Sequence, residues 1–273
     1  MKHFETVKIE IQDTVAQVTL NRPEVRNAFN PQMVIELATL FQGLSQNPNV
    51  RVIILGGAGP TFSAGMDLKW LTTTDQNSEV QRVQAAEHML QMYQAIDECP
   101  YPVIARVHGA AFGGGAGIIA VCDMAVASPD AQFAFREVRL GLIPAIIAPY
   151  LLRRLGVSQT TRLCLTGENF SADVARQVGL VQEVVPAEEL DSHIHLLIEH
   201  ILQGGPEAIK ETKKFLRQLL ALPDQDKWPL CTRVNAEMRG SAEAAEGLLA
   251  FVEKRSPHWV KTSSQVSDSG VKV

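Results

Sequence analysis

Aromatic residues make up only 6% of this 273-residue chain, too few for the stacking platform that binds single-stranded nucleic acid. Positive charge is also scarce. Twenty-five Lys and Arg stand against 30 Asp and Glu, a net charge of −5, which argues against binding driven by phosphate contacts. The four cysteines, Cys99, Cys122, Cys164 and Cys231, lie far apart with no CxxC pair. That spacing disfavours a zinc site or a disulfide framework and suits a reducing compartment. Uncharged stretches such as 109–122 are shorter than the ~18 apolar residues a membrane span needs, and this one is broken by glycines. The N-terminal MKHFETVKIEIQD has neither an apolar signal core nor an Arg/Ser-rich amphipathic pattern. The expectation is a cytoplasmic protein with no nucleic-acid or membrane partner and no metal. A hydrophobic content of 46% with 20% charged residues describes a globular chain, long enough to bury a sizeable core.

Two apolar runs, VKIEIQ and VAQVTL, are split by Asp13-Thr14 and read as a β-hairpin. Asn30-Pro31 opens a helix with a capping residue and a proline at the first helical position. RVIILGG and PVIARVHG read as buried strands, VQAAEHMLQMYQAIDEC and GGGAGIIAVCD as helices, and MAVASPDAQFAF as two short strands around Pro129. Strand and helix thus alternate from about 50 to 185, which predicts an α/β core with parallel strands. From 187 onward strand signals vanish, and 187–203, 206–221, 226–238 and 241–254 read as consecutive helices. Residues 1–190 form the expected core and 191–273 a helical C-terminal region.

Glycine-rich loops follow the two buried strands, GGAGPTFSAGMDL at 56–68 and HGAAFGGGAG at 108–117. Small residues at a strand-to-helix handover leave backbone N–H groups free, and two such groups aimed at one point hold an oxyanion. Close helix–strand packing is the alternative reason for the glycines. The first loop lacks the GK[ST] ending of a phosphate-binding loop. The second does not fit GxGxxG with an acidic residue about 20 further on.

NRPEVRNAFN, FSAGMDLKWL, PVIARVHGAAFGGGAGI, CDMAVASPDAQFAFREVRLGLIPA and GLVQEVV occur in one order. Together they resemble the enoyl-CoA hydratase/isomerase (crotonase) superfamily over residues 5–258. EVRLGLIPAIIAPYLLRRLG and GGGAGI are most similar to the 3-methylglutaconyl-CoA hydratase type. The isohexenylglutaconyl-CoA hydratase of acyclic terpene breakdown looks comparably close. The resemblance implies a spiral of ββα turns and C-terminal helices that drive trimers, commonly paired into hexamers.

It also implies an oxyanion hole from the backbone N–H groups of Met66 and Gly114, with Gly65 and Gly113 beside them. Coenzyme A, the carrier of the substrate rather than a cofactor, is expected along Arg26, Ala28, Ala64, Asp67, Leu68 and Lys69. Lys254 and Arg255 are candidates to reach a neighbouring subunit's CoA. Acyl-pocket walls are expected from Met66, Trp70, Leu71, Phe112, Ile143 and a helix over 76–95.

The acid–base pair departs from the typical pattern of two glutamates. Glu137 is kept, and Gly117 stands where the other falls. A gap at Gly117 is expected to hold water or the substrate's distal carboxylate, so that Gly117→Glu restores a second acid. Glu137 is either the catalytic acid/base or a partner of Arg136 or Arg139. If the strand-like alternation of AQFAFREV runs on, Phe133, Phe135 and Glu137 share a side and Arg136 faces away. Arg136 is either a bidentate partner for a dicarboxylic acyl group or part of a structural ion pair. His108 is either a catalytic group or a satisfied core histidine.

The expected activity is a hydro-lyase that adds water to a branched 2-enoyl-CoA, a 3-substituted glutaconyl-CoA. An isomerase or decarboxylase on the same fold is one alternative, and a non-catalytic CoA-binding scaffold is another.

Overall fold

The structure is a computed structural model and describes residues 4–74 and 78–260. The chain divides between His195 and Leu196, a few residues beyond the expected boundary.

The first unit opens with the hairpin β1 (Val7–Gln12) and β2 (Val15–Leu20), antiparallel, with Asp13 left-handed in the turn (φ 53°). Helix α1 (Pro31–Ser45) follows, its N-terminus capped by the Asn30 side chain, which accepts from Met33 N at 2.9 Å. Its buried stripe of Met33, Val34, Leu37, Leu40, Phe41 and Leu44 faces the core. Strand β3 (Val52–Gly57) is buried almost throughout, as an interior parallel strand must be. Helices α2 (Leu68–Thr74) and α3 (Glu79–Asp97) come next; positions 76 and 77 of the expected 76–95 helix lie outside the described residues.

Two strand pairs continue the chain: β4 (Val103–Val107) with β5 (Ala110–Phe112), then β6 (Met124–Ala127) with β7 (Gln132–Ala134). Helix α4 (Gly114–Val121) follows β5, and α5 (Ala148–Thr166) comes after β7. The short β8 (Phe170–Ser171), α6 (Ala172–Gln177) and β9 (Glu183–Val184) complete the pattern. One sheet has the order β1-β2-β3-β4-β6-β9, parallel from β2 onward, and a smaller sheet has the order β5-β7-β8. In two successive turns, β4-β5-α4 and β6-β7-α5, the chain runs a strand in the large sheet, a strand in the small one, then a helix. That is the expected ββα spiral, and it stacks the strand-to-helix handovers next to one another.

The boundary falls inside α7 (Leu190–Gln203). The second unit is helical beyond it, with α8 (Pro206–Ala221), α9 (Asp224–Arg239) and α10 (Ala242–Val252). No described helix is long and apolar enough to cross a membrane.

Candidate active site

The two glycine loops are zipped together by backbone bonds. Phe62 N donates to His108 O (3.0 Å), Ser63 N to Ala110 O (3.0 Å), and Phe112 N to Ser63 O (3.0 Å). This pairs Ser63 with Ala111 in parallel, so two residues on, Gly65–Met66 lie alongside Gly113–Gly114. The approach is tight: a Cβ on Gly65 would fall 2.6 Å from Phe112 O and 3.4 Å from Gly114 N. Gly65 also has φ +85°, which a side chain disfavours.

Met66 is flanked by two bonds to α1's approach, Phe29 N to Gly65 O (2.7 Å) and Asp67 N to Phe29 O (2.9 Å). Its own N–H is left without an acceptor among the described residues. Gly114 begins α4, whose N-cap, Gly113, provides no side-chain cap. The Gly114 N–H therefore also lacks an acceptor among the described residues, as the first N–H groups of a helix do. The two open donors thus lie on loops that run side by side, the second at the N-terminus of α4, where the helix dipole adds positive potential.

The expected strand register of Glu137 is corrected. β7 ends at Ala134, whose carbonyl is taken by Gly113 N (2.8 Å), and Arg136 turns to φ −89°, ψ 5°. Glu137 instead starts the 3₁₀ turn Glu137–Leu140, closed by left-handed Gly141. The turn aims the carboxyl back at the glycine run: a Cβ on Gly113 would come 3.1 Å from Glu137 Oε1. Glu137 Oε2 is buried with no hydrogen-bond partner among the described residues. Burial pushes its pKa above the ordinary carboxylate value. The ion-pair alternative is not seen. Arg136 donates through Nε (3.1 Å) and Nη2 (2.7 Å) to Asn169 Oδ1, and Arg139 reaches Thr166 O. Arg136 also stacks on Phe112, 4.0 Å from the ring centroid, so its charge sits one residue from Gly113 on an amide partner rather than in the structural ion pair considered above.

The expected gap at Gly117 is also corrected. A Cβ there would lie 2.4 Å from Ile147 Cγ2 and 3.2 Å from Tyr93 Oη. Ile147 and Tyr93 are both buried, so side chains already fill the space assigned to water or a distal carboxylate.

The family model for enoyl-CoA hydratase/isomerase matches residues 10–262. The chain belongs to the enoyl-CoA hydratase/isomerase family. It is 31% identical over 245 residues to a putative enoyl-CoA hydratase of Thermus thermophilus, covering 90% of this chain and 97% of that one. It is equally 31% identical, over 271 residues, to the peroxisomal Delta(3,5)-Delta(2,4)-dienoyl-CoA isomerase of Arabidopsis thaliana, covering 95% and 98%. The solved structure of Pseudomonas aeruginosa AtuE superposes with a TM-score of 0.91 at 34% identity, over 94% of this chain and all of that one. This chain is accordingly an enzyme of a family whose named members include both hydratases and an isomerase.

In this family member the residues expected along the CoA path fall into two sets. Arg26, left-handed at φ 56°, and Lys69 expose side chains that have no ion-pair partner among the described residues. Ala64 N bonds to Arg26 O (2.8 Å), and Leu68 is exposed beside Lys69. Asp67 is committed otherwise: it pairs with Arg22 (3.2 Å) and caps α2 through Lys69 N (3.1 Å), while Arg22 also holds Ala28 O (2.6 Å). His108 is a satisfied histidine, with Arg106 Nη1 donating to its Nδ1 (3.2 Å) and its Nε2–H donating to Gly59 O (2.7 Å). Arg255 forks onto Glu246 and Glu253 at 2.7 Å each.

Sequence reasoning missed the residues that hold the first loop. Asn27, fully buried and left-handed at φ 53°, donates through Nδ2 to Ala58 O (2.9 Å), Thr61 O (2.8 Å) and Phe62 O (3.2 Å). Ser63 Oγ donates to Asn27 O (2.9 Å) and accepts from Gly65 N (3.1 Å). An Asn three residues before the helix-opening Asn30-Pro31 was the available signal, since Asn tolerates the left-handed region. Tyr93 and Ile147 gave no signal, because nothing local relates them to Gly117.

Proposed function

We propose that this enzyme adds water across the double bond of a branched 2-enoyl-CoA, with a 3-substituted glutaconyl-CoA such as 3-methylglutaconyl- or isohexenylglutaconyl-CoA as substrate. The observation that carries the reading is the half-buried Glu137 carboxyl, whose buried Oε2 has no hydrogen-bond partner among the described residues, against the glycine run that holds an open backbone N–H. In this reading the thioester oxygen sits against Met66 N–H and Gly114 N–H. Each donor stabilises the developing enolate by about 3–4 kcal/mol. Glu137 takes a proton from water as the water oxygen attacks C3. The protonated Glu137 then returns that proton to C2 on the same face. Burial raises its pKa above the ordinary carboxylate value, the direction that makes the carboxyl a better acceptor of the water's proton.

The Arg136 guanidinium, stacked on Phe112 and bonded to the neutral Asn169, is suited to a distal carboxylate. Arg26 and Lys69 supply free cations for the phosphates of CoA, while Gly65, Ala28, Ala64 and Leu68 shape its path. The proposed assembly is a homotrimer or a dimer of trimers. Exposed apolar side chains on the C-terminal helices support it, Trp228 at 75% and Phe251 at 83% exposure among them. On α7, Leu196 is exposed whereas Ile194 is buried inside its own chain. Light scattering that shows a monomer at micromolar concentration refutes the assembly. Four free thiols support a cytoplasmic location.

A 1,3-proton shift is the second reading, favoured by the dienoyl-CoA isomerase relative and by the single carboxyl. A panel of acyl-CoAs separates the two, read by the enoyl-thioester absorbance and product mass. Water gain supports hydration, an isobaric product the isomerase, and loss of carbon dioxide a decarboxylase. A wild type that hydrates crotonyl-CoA as well as 3-methylglutaconyl-CoA overturns the glutaconyl assignment.

A further inference from the structure

Gly113, Gly114 and Gly115 form a run with no side chain to fix it, yet its N–H must point at one spot. Backbone bonds clamp the ends, Gly113 N to Ala134 O (2.8 Å) and Gly117 N to Gly113 O (3.0 Å). Within the run, one side chain from a distant element holds the main chain. Tyr93, on α3 and fully buried, donates its hydroxyl to Gly114 O at 2.9 Å. The same oxygen lies 2.9 Å from where a Cβ on Gly114 would project and 3.2 Å from the corresponding point on Gly117. Tyr93 is therefore seated between the residue that offers the open N–H and the residue that lacks the second carboxylate.

We infer that Tyr93 is a positioning residue: its hydroxyl fixes the Gly114 backbone so that the Gly114 N–H is aimed at the thioester oxygen. The inference rests on the oxyanion-hole reading above. The fit is specific. The hydroxyl already lies at hydrogen-bond distance from Gly114 O, and the ring is wedged 6.2 Å from that of Tyr150. Because the phenol donates to Gly114, it gives no hydrogen bond to Glu137, whose Oε2 stays unpaired. Tyr93 thus serves the oxyanion side of the site and leaves the base alone.

Tyr93→Phe keeps the ring and removes only the hydroxyl. Loosening a donor by a fraction of an ångström costs less than deleting it, so kcat is expected to fall about 10- to 100-fold. KM should stay within twofold and the acid limb of the pH profile should not move. A binding readout separates this inference from the reaction reading. A cinnamoyl-type thioester of CoA absorbs further to the red when its carbonyl is polarised. If wild type binds the probe with no red shift, the oxyanion hole itself is wrong. If wild type shifts it and Tyr93→Phe retains the full shift at saturating probe, the positioning role is overturned. A lost or reduced shift with binding retained supports it, whereas a merely structural role lowers Tm and leaves the shift intact. Should Tyr93→Phe fail to fold, 3-fluorotyrosine placed at position 93 provides a stronger donor. It should deepen the red shift, and an unchanged shift overturns the inference.

Discussion

Replacing Glu137 by Gln tests activity and stability together, with opposite signs. Gln has the same size and no charge. If Glu137 exchanges the proton between water and C2, kcat should fall by about 10²–10⁴-fold, the range of a positioned proton transfer. Stability should move the other way. The carboxyl of the folded protein has a pKa above its ordinary value of 4.5 because burial disfavours the ionised form. Protonation therefore favours the folded state. The stability of the wild type is full below pH 4.5, falls as pH rises from 4.5 through the raised pKa, and is flat beyond it. Above its raised pKa the wild type bears a carboxylate whose buried Oε2 has no partner among the described residues, at a cost of about 1 kcal/mol or more. Gln is free of that charge, so Tm should rise by about 2–4 °C on the alkaline side of that pKa and be unchanged at pH 4. The wild-type kcat/KM should climb with pH along a limb whose midpoint lies above 4.5. The assays are steady-state hydration and thermal melts across pH 4–8. A kcat within threefold of wild type refutes the base assignment. A Tm difference independent of pH, or a limb centred at or below 4.5, refutes the buried-charge argument.

Gly117→Ala should destabilise by about 1–3 kcal/mol, since its Cβ would meet Ile147 Cγ2 at 2.4 Å, and Gly117→Glu should be worse rather than restore a second acid. A Gly117→Glu enzyme that hydrates crotonyl-CoA faster than wild type contradicts this. Asn27→Ala removes the donor to three loop carbonyls and leaves Ala at positive φ, so a loss of about 3–4 kcal/mol is expected. A Tm drop smaller than 2 °C would count against it. Arg136→Met should lower the kcat/KM preference for 3-methylglutaconyl-CoA over crotonyl-CoA by about 10-fold. An unchanged ratio removes Arg136 from substrate recognition.

The sequence carried whatever depends on neighbours along the chain. The hairpin at Asp13-Thr14, the Asn30-Pro31 helix start and the buried VIILGG strand are local in cause, through turn conformation, capping and burial on both faces. The resemblance that five motifs in one order carry implied that Met66, Gly114 and Glu137 share a site. Only the tertiary structure decided what surrounds them. Strand alternation put Glu137 in β7, but the last ladder bond goes to Gly113 N, and the backbone turns at Arg136 to bring the carboxyl to the glycines. The absence of a side chain at Gly117 read as empty space. Close packing fills such space from elsewhere, here with Ile147 and Tyr93, which lie 30 and 24 residues away in sequence. The Arg136 charge finds an amide and a ring rather than a carboxylate, because the chain brings Asn169 and Phe112 to it. Local pattern fixes which elements form. The identity of the atoms that meet across them is set by long-range packing, which a one-dimensional pattern does not encode.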